Sequence, residues 1–157
     1  MKGGKNMYNA NKENQELVNG IRDELREIVN GYLKEIDGEP VEAQQDAEGY
    51  YFIESEGEIY TENPDADENA HELDELDEYT INTYLNNKYL DVEYITDAQK
   101  NYKACRVMIA AGGPTIYLNT WTGKVELYWW NEYAEAYLDR EVIDEIDATF
   151  EEGFKYW

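Results

Sequence analysis

DVEYITDAQKNYKACRVMIAAGGPTIYLNTWTGKVELYWWNEYAEAYL, residues 91–138, is the stretch whose reading decides the fold. In residues 91–96, Val92, Tyr94 and Thr96 alternate with polar neighbours, the period of a half-buried strand. The most apolar run, 104–111, ends at Gly112, Gly113 and Pro114, a combination suited to a tight reversal. A second β-branched and aromatic run, 115–120, meets another reversal at Thr122 and Gly123. Residues 124–130 and 133–138 follow, separated only by Asn131 and Glu132. Four or five short strands joined by minimal loops predict an antiparallel meander, because short links leave each strand no neighbour but the next.

Helical patterns flank this block. Downstream, Asp139 is placed to cap a helix whose apolar face is Val142, Ile143, Ile146 and Phe150. Upstream, Leu17, Ile21, Leu25, Ile28, Val29, Tyr32, Leu33 and Ile36 recur at steps of three and four, which predicts helix over 13–40 ended by Gly38 and Pro40. Gly20 and Gly31 each weaken its middle by about 1 kcal/mol relative to Ala, and one of them is a candidate for dividing it. Residues 1–12 are polar and rich in Gly and Asn, and are expected to be flexible.

In between, residues 50–55 and 58–60 read as a strand and its return arm around Gly57, and 61–70 have turn composition. Leu73, Leu76, Tyr79, Thr83 and Tyr84 then predict a central helix reaching about Asn87, with Glu72, Asp74, Glu75, Asp77 and Glu78 on its outward face. The expected fold is therefore α+β. A four- to five-stranded antiparallel meander carries an N-terminal helix, a central acidic helix and a C-terminal helix. Residues 13–157 form one domain: helix over 13–40, an acidic segment over 41–89, and the sheet with its last helix over 90–157.

Charge separates the segments sharply. Formal net charge is -23, and residues 41–80 contain fifteen Asp and Glu with no Lys or Arg. Such a surface disfavours nucleic acid and anionic membrane as direct ligands and favours a basic partner. Hydrophobic residues make up 42% of the chain, so the charge does not signal general disorder. The absence of any long apolar run and of a signal-peptide core predicts a cytoplasmic protein. One cysteine, Cys105, excludes an intrachain disulfide and reads as a buried strand thiol.

Catalytic patterns are weak. The AAGGPT run at 110–115 lacks the Lys-Ser/Thr pair and following helix of a phosphate-binding loop, so it reads as a turn. His71, the lone histidine, stands among acids at an exposed position. Carboxylate pairs such as Asp74 with Asp77, or Asp144 with Asp147, arise readily among 36 acidic residues, and the DADE run at 65–68 lacks calcium-loop spacing. No catalytic residue, metal ligand or cofactor is assigned, and the protein is expected not to be an enzyme. A metal-dependent hydrolase built on clustered carboxylates is the reading this displaces.

Two blocks, ACRVMIAAGGPTIYLNTWTGKVELYWW at 104–130 and EVIDEIDATFEE at 141–152, resemble small proteins of bacterial phages and other mobile elements. The small, strongly acidic whole is similar to the anti-restriction and anti-CRISPR proteins that such elements carry, some of which imitate DNA. That resemblance implies antagonism of host defence by binding a protein, in the host cytoplasm if the protein is phage-encoded. Lys100, Lys103 and Arg106 depart from it, since they place basic charge beside the sheet.

The functional expectation is an inhibitor that blocks the nucleic-acid-binding surface of a basic host protein such as a defence nuclease. Its candidate partner-binding residues are Asp65, Asp67, Glu68, Glu72, Asp74, Glu75, Asp77 and Glu78, with Trp121 and Trp130 as aromatic anchors; Tyr128 and Trp129 are further anchor candidates. The alternative is a homo-oligomeric structural or assembly protein of a mobile element, joined through its sheet edge or aromatic face. A homodimer is compatible with either.

Overall fold

The strand-rich block folds as its loops dictate. In the computed structural model, which describes residues 2–156 and side chains from Asn11 to Tyr156, β7 (Asp91–Thr96), β8 (Tyr102–Ala110), β9 (Thr115–Asn119), β10 (Lys124–Trp129) and β11 (Glu132–Tyr137) follow one another in a five-stranded antiparallel sheet. Gly112 has φ of 88° in the β8–β9 reversal and Gly123 has 73° before β10, so both turns use the left-handed region that glycine enters without steric cost. Pairing runs Lys124 to Tyr137 and Trp129 to Glu132 on one side of β10, and Lys124 to Asn119 on the other.

Three helices cover one face of this sheet. α1 (Lys2–Asn30) lies over β11 and β10, where Ala134 and Ala136 leave room for it, and α3 (Arg140–Phe154) lies over β8. α2 (Ile81–Lys88) packs on α3 and is started by a capping box in which Thr80 and Thr83 satisfy each other's backbone N–H groups. Val18, Leu25 and Ile28 from α1, Tyr84 and Leu85 from α2, and Val142 and Ile146 from α3 meet Cys105, Val107, Leu118, Val125 and Leu127 from the sheet in one core. Asp139 stands at the N-cap of α3, yet its carboxylate makes no cap bond. It accepts two bonds from the Arg26 guanidinium, at 2.7 and 3.0 Å, which tie α1 to the start of α3.

The α+β architecture matches the sequence reading, whereas the path of residues 31–80 corrects it. α1 stops at Asn30: a Cβ on Gly31 would lie 2.5 Å from the Glu27 carbonyl, so only glycine fits at that exit. Residues 33–40, expected as helix, lie instead in a hairpin of β1 (Leu33–Ile36) and β2 (Glu39–Glu42) turned by Asp37 and Gly38, both at positive φ. The step of three from Leu33 to Ile36 fits a helix face, but in β1 it puts them on opposite faces, Leu33 in the large core and Ile36 in the small one, and the Asp-Gly pair turns the hairpin. Residues 2–12, expected as a flexible segment, continue α1 at its N-terminal end.

The central helix forms over its second half only, as α2, and its acidic first half is replaced. β3 (Gln44–Gln45), β4 (Tyr51–Ser55), β5 (Glu58–Thr61) and β6 (His71–Glu72) form a second sheet, antiparallel except for the β5–β6 pair. One 3-10 turn, Leu73–Glu75, follows, and the chain is then extended until α2 begins at Ile81. A helix over 72–80 would have stacked unpartnered carboxylates one turn apart. In the short turn Leu73 and Leu76 instead serve a small core with Ala43, Ile53, Val41 and Ile36. This acidic lobe is moored to the helical layer through β1: Glu35 N–H donates to the Asp77 carbonyl at 2.7 Å, and Tyr79 N–H donates to that of Leu33 at 2.9 Å. The Asn87 amide on α2 donates to the Gly38 carbonyl at 2.8 Å. Among the described residues, no helix is long and apolar enough to cross a membrane.

Candidate functional site: an acidic lobe without bases

All eight acidic candidates are solvent-exposed, but the fold distributes them over three places. Asp65, Asp67 and Glu68 lie in the loop between β5 and β6. Side-chain oxygens build its shape: Asn63 Oδ1 accepts from Asp65 N–H at 2.9 Å, and Asp67 Oδ1 accepts from Asn69 N–H at 3.1 Å. Asp67, Glu68, Glu72 and Asp74, joined by Glu62, border a cavity of about 490 Å³. Asp77 and Glu78 run beside β1 instead, and Glu78 borders a different groove with Tyr32 and Glu145. The structure thus gathers four of the candidates around one concavity and sets Asp77 and Glu78 apart.

Glu75 has a separate role. His71 Nε2 lies 2.7 Å from Glu58 Oε2, and its Nδ1 lies 3.4 Å from Glu75 Oε2. The imidazole also stacks on Tyr60, with centroids 5.0 Å apart. The histidine expected as an isolated exposed residue therefore clamps β5, β6 and the 3-10 turn together. Sequence spacing offered only the i,i+4 relation to Glu75, because Glu58 arrives through a parallel strand pairing. Among the described residues, Glu58 and Glu75 are the only acids of 41–80 that meet a basic side chain, and that side chain is His71. Every other ion pair lies outside this segment.

The two tryptophan candidates do not join the acids in one site. Trp121, 65% exposed, sits in the β9–β10 turn, and Trp130, 87% exposed, sits in the β10–β11 turn. They stand at opposite ends of β10, with about 20 Å of strand between them. Trp130 has φ of 54°, a conformation that a bulky residue rarely adopts. Trp129 packs against the large core, while Tyr128 faces solvent from the opposite side of the sheet.

Sequence reasoning offered an aromatic face as an oligomer surface and Tyr128 as a candidate, but missed which other residues share that side. Strand register lines up Glu93, Arg106, Asn119, Lys124 and Tyr137 in one row, and Asp91, Met108, Tyr117, Glu126 and Glu135 in the next. Thr115, Tyr128 and Tyr133 form a third. The Arg106 guanidinium lies 3.5 Å from the centre of the Tyr117 ring. It also reaches Glu93 at 3.4 Å and the buried Glu126 at 3.8 Å, and Asn119 donates to Glu126 at 3.0 Å. Glu135 accepts from the Lys124 ammonium at 2.8 Å and from the Tyr133 hydroxyl at 2.7 Å, and these bonds hold its carboxyl below the usual range. The usable signal was the alternation of Tyr and charge in 115–137, which becomes a surface only once register is known.

Chemistry is sparse elsewhere. Cys105 is fully buried, and burial pushes its thiol up to about 11. Among the described residues, no group of three or more His, Cys, Asp or Glu is arranged to hold a metal ion. No protein-family model, curated protein or solved structure matches this chain.

Proposed function

We propose that this protein is an inhibitor that binds the nucleic-acid-binding surface of a basic host protein, such as a defence nuclease, and presents its acidic lobe where phosphates would lie. The observation that carries the reading is the combination of dense exposed carboxylate in 41–80 with a single histidine as its whole complement of basic partners. Unneutralised charge on one lobe repels itself, and a cationic cleft relieves that repulsion on binding. Duplex DNA offers one charge per about 1.7 Å of axis, and a loop dense in carboxylates substitutes electrostatically for a short length of it. This is mimicry by folded loops and a short turn, not by a helical ladder of acids.

Charge of this kind speeds encounter more than it deepens affinity, so the complex needs an apolar anchor. Trp121, 65% exposed in the β9–β10 turn, stands at the end of the sheet where Arg26 ties α1 to Asp139, on the lobe's side of the molecule, and suits that role. The test is capture of partners from host lysate with and without competing duplex DNA, followed by a nuclease-protection assay. We expect a basic, nucleic-acid-binding partner that DNA displaces. Neutralising the cavity acids (Asp67→Asn, Glu68→Gln, Glu72→Gln, Asp74→Asn) should abolish inhibition while the circular dichroism spectrum is kept. A captured partner indifferent to DNA, or full inhibition by the neutralised variant, refutes the proposal.

A further inference from the structure

The open face of the five-stranded sheet is the surface that the inhibitor reading leaves unused. An antiparallel sheet with helices on one side ordinarily carries polar side chains on the other. Here the uncovered side presents Tyr117, Tyr128, Tyr133 and Tyr137 with Met108. Tyr128, Tyr133 and Tyr137 remain 39%, 45% and 66% exposed. Tyrosine, with a flat apolar body and a hydrogen-bonding tip, is a residue of interfaces.

We propose that this face is the interface of a homodimer in which two copies pack open sheet against open sheet. Charge argues for a second copy as the occupant. In contrast to the lobe, both cations of this face are already matched: Arg106 by Glu93 and Glu126, and Lys124 by Glu135. Over β8 to β11 the face is therefore neutral, Arg106 and Lys124 against Glu126 and Glu135, on a strongly acidic protein, and that part has little to attract a basic partner. Its rows are also self-complementary. A two-fold axis running across the strands, between the row of Lys124 and Tyr137 and the row of Glu126 and Glu135, lays each row over the other in the second copy. Lys124 then faces Glu126, and Tyr137 faces Glu135. Asp91 and Glu93 on edge strand β7 meet like charges in this arrangement, so contact centres on β9, β10 and β11.

Size and placement agree with this. Without β7, the four strands β8 to β11, about 4.8 Å apart and about 20 Å long, give a footprint of roughly 400 Å². Protruding tyrosines raise the accessible area toward the roughly 800 Å² per partner of a standard interface. The acidic lobe leaves the helical layer after α1 and rejoins it at α2, on the side of the sheet away from this face. Two copies can thus meet while their lobes stay apart and free for a basic partner.

Analytical ultracentrifugation over about 1–200 µM protein, at about 50 and 500 mM salt, tests the proposal. We expect a species of twice 18.4 kDa that strengthens with salt, because screening reduces repulsion between two polyanions. Capture of a basic partner by the lobe should weaken with salt, so the two proposals fail separately. Tyr128→Ser with Tyr133→Ser should raise the dissociation constant at least about ten-fold. Acetylation of wild-type tyrosines, read by mass spectrometry, tests the face without a variant: Tyr128, Tyr133 and Tyr137 should be protected at high protein concentration only. A monomer under all conditions, a dimer that leaves these tyrosines reactive, or their protection only by a captured host protein overturns the proposal.

Discussion

Leu73→Ala should unfold the acidic lobe and spare the rest of the molecule. Leu73 is 1% exposed, sits between Glu72 and Asp74, and is the most deeply buried side chain of the small core. Among the described residues, that core has three buried side chains, Ala43, Ile53 and Leu73, whereas the large core has twenty. Truncating a buried leucine costs about 2.7–5 kcal/mol, depending on how far the site collapses. Stability accrues at roughly 0.05–0.15 kcal/mol per residue, so a lobe of about 40 residues holds some 2–6 kcal/mol of its own. The substitution therefore removes about all of it. Hydrogen exchange is the assay: a loss of about 3 kcal/mol accelerates the β4 and β5 amides roughly a hundred-fold, while β8, β9 and β10 keep their protection. Inhibition should vanish although every carboxylate is retained, because the acids lose their rigid support. Equal acceleration in both sheets would show one cooperative unit and refute the reasoning, as would unchanged exchange in β4 and β5.

Gly31→Ala should lower the melting temperature, since the new Cβ would lie 2.5 Å from a backbone oxygen that cannot move without disturbing the end of α1; Gly20→Ala, with nothing within 4 Å of its Cβ, should raise it slightly. Acid should loosen the tie between α1 and α3. The bonds from Arg26 hold the Asp139 carboxyl below its ordinary value of 3.8, so its stabilisation is complete above that value and is lost as pH falls through the lowered one. Urea unfolding at about pH 6, 4 and 2.5 should show the wild-type advantage over Arg26→Gln shrinking only in the most acidic range; an advantage independent of pH contradicts this. The Cys105 thiol, buried and raised to about 11, should resist a disulfide reagent at pH 8 until urea unfolds the sheet, and rapid reaction of the folded protein would contradict its placement.

What the sequence determined by itself was local. The glycine turns at 112 and 123, the alternation of residues 91–137 and the three-and-four stripe through Ile21, Leu25, Ile28 and Val29 specify strands and helices through steric and burial rules acting within a few residues, although Leu17, expected to begin that stripe, is exposed and Val18 is buried in its place. The same rules were legible for Tyr51–Ser55 and Glu58–Thr61 around Gly57. They failed at residues 33–40, where the helical step from Leu33 to Ile36 spans the two faces of a strand that serves two cores, and at residues 72–80, where a helical period lost to carboxylate repulsion and to a small core made with β4. The acidity of the central segment was plain in composition. Only the tertiary structure decided which acids share a concavity and that His71 is spent holding Glu58 and Glu75. It alone assembled the tyrosine face, because cross-strand register joins residues far apart in the chain and no local pattern encodes which row they occupy.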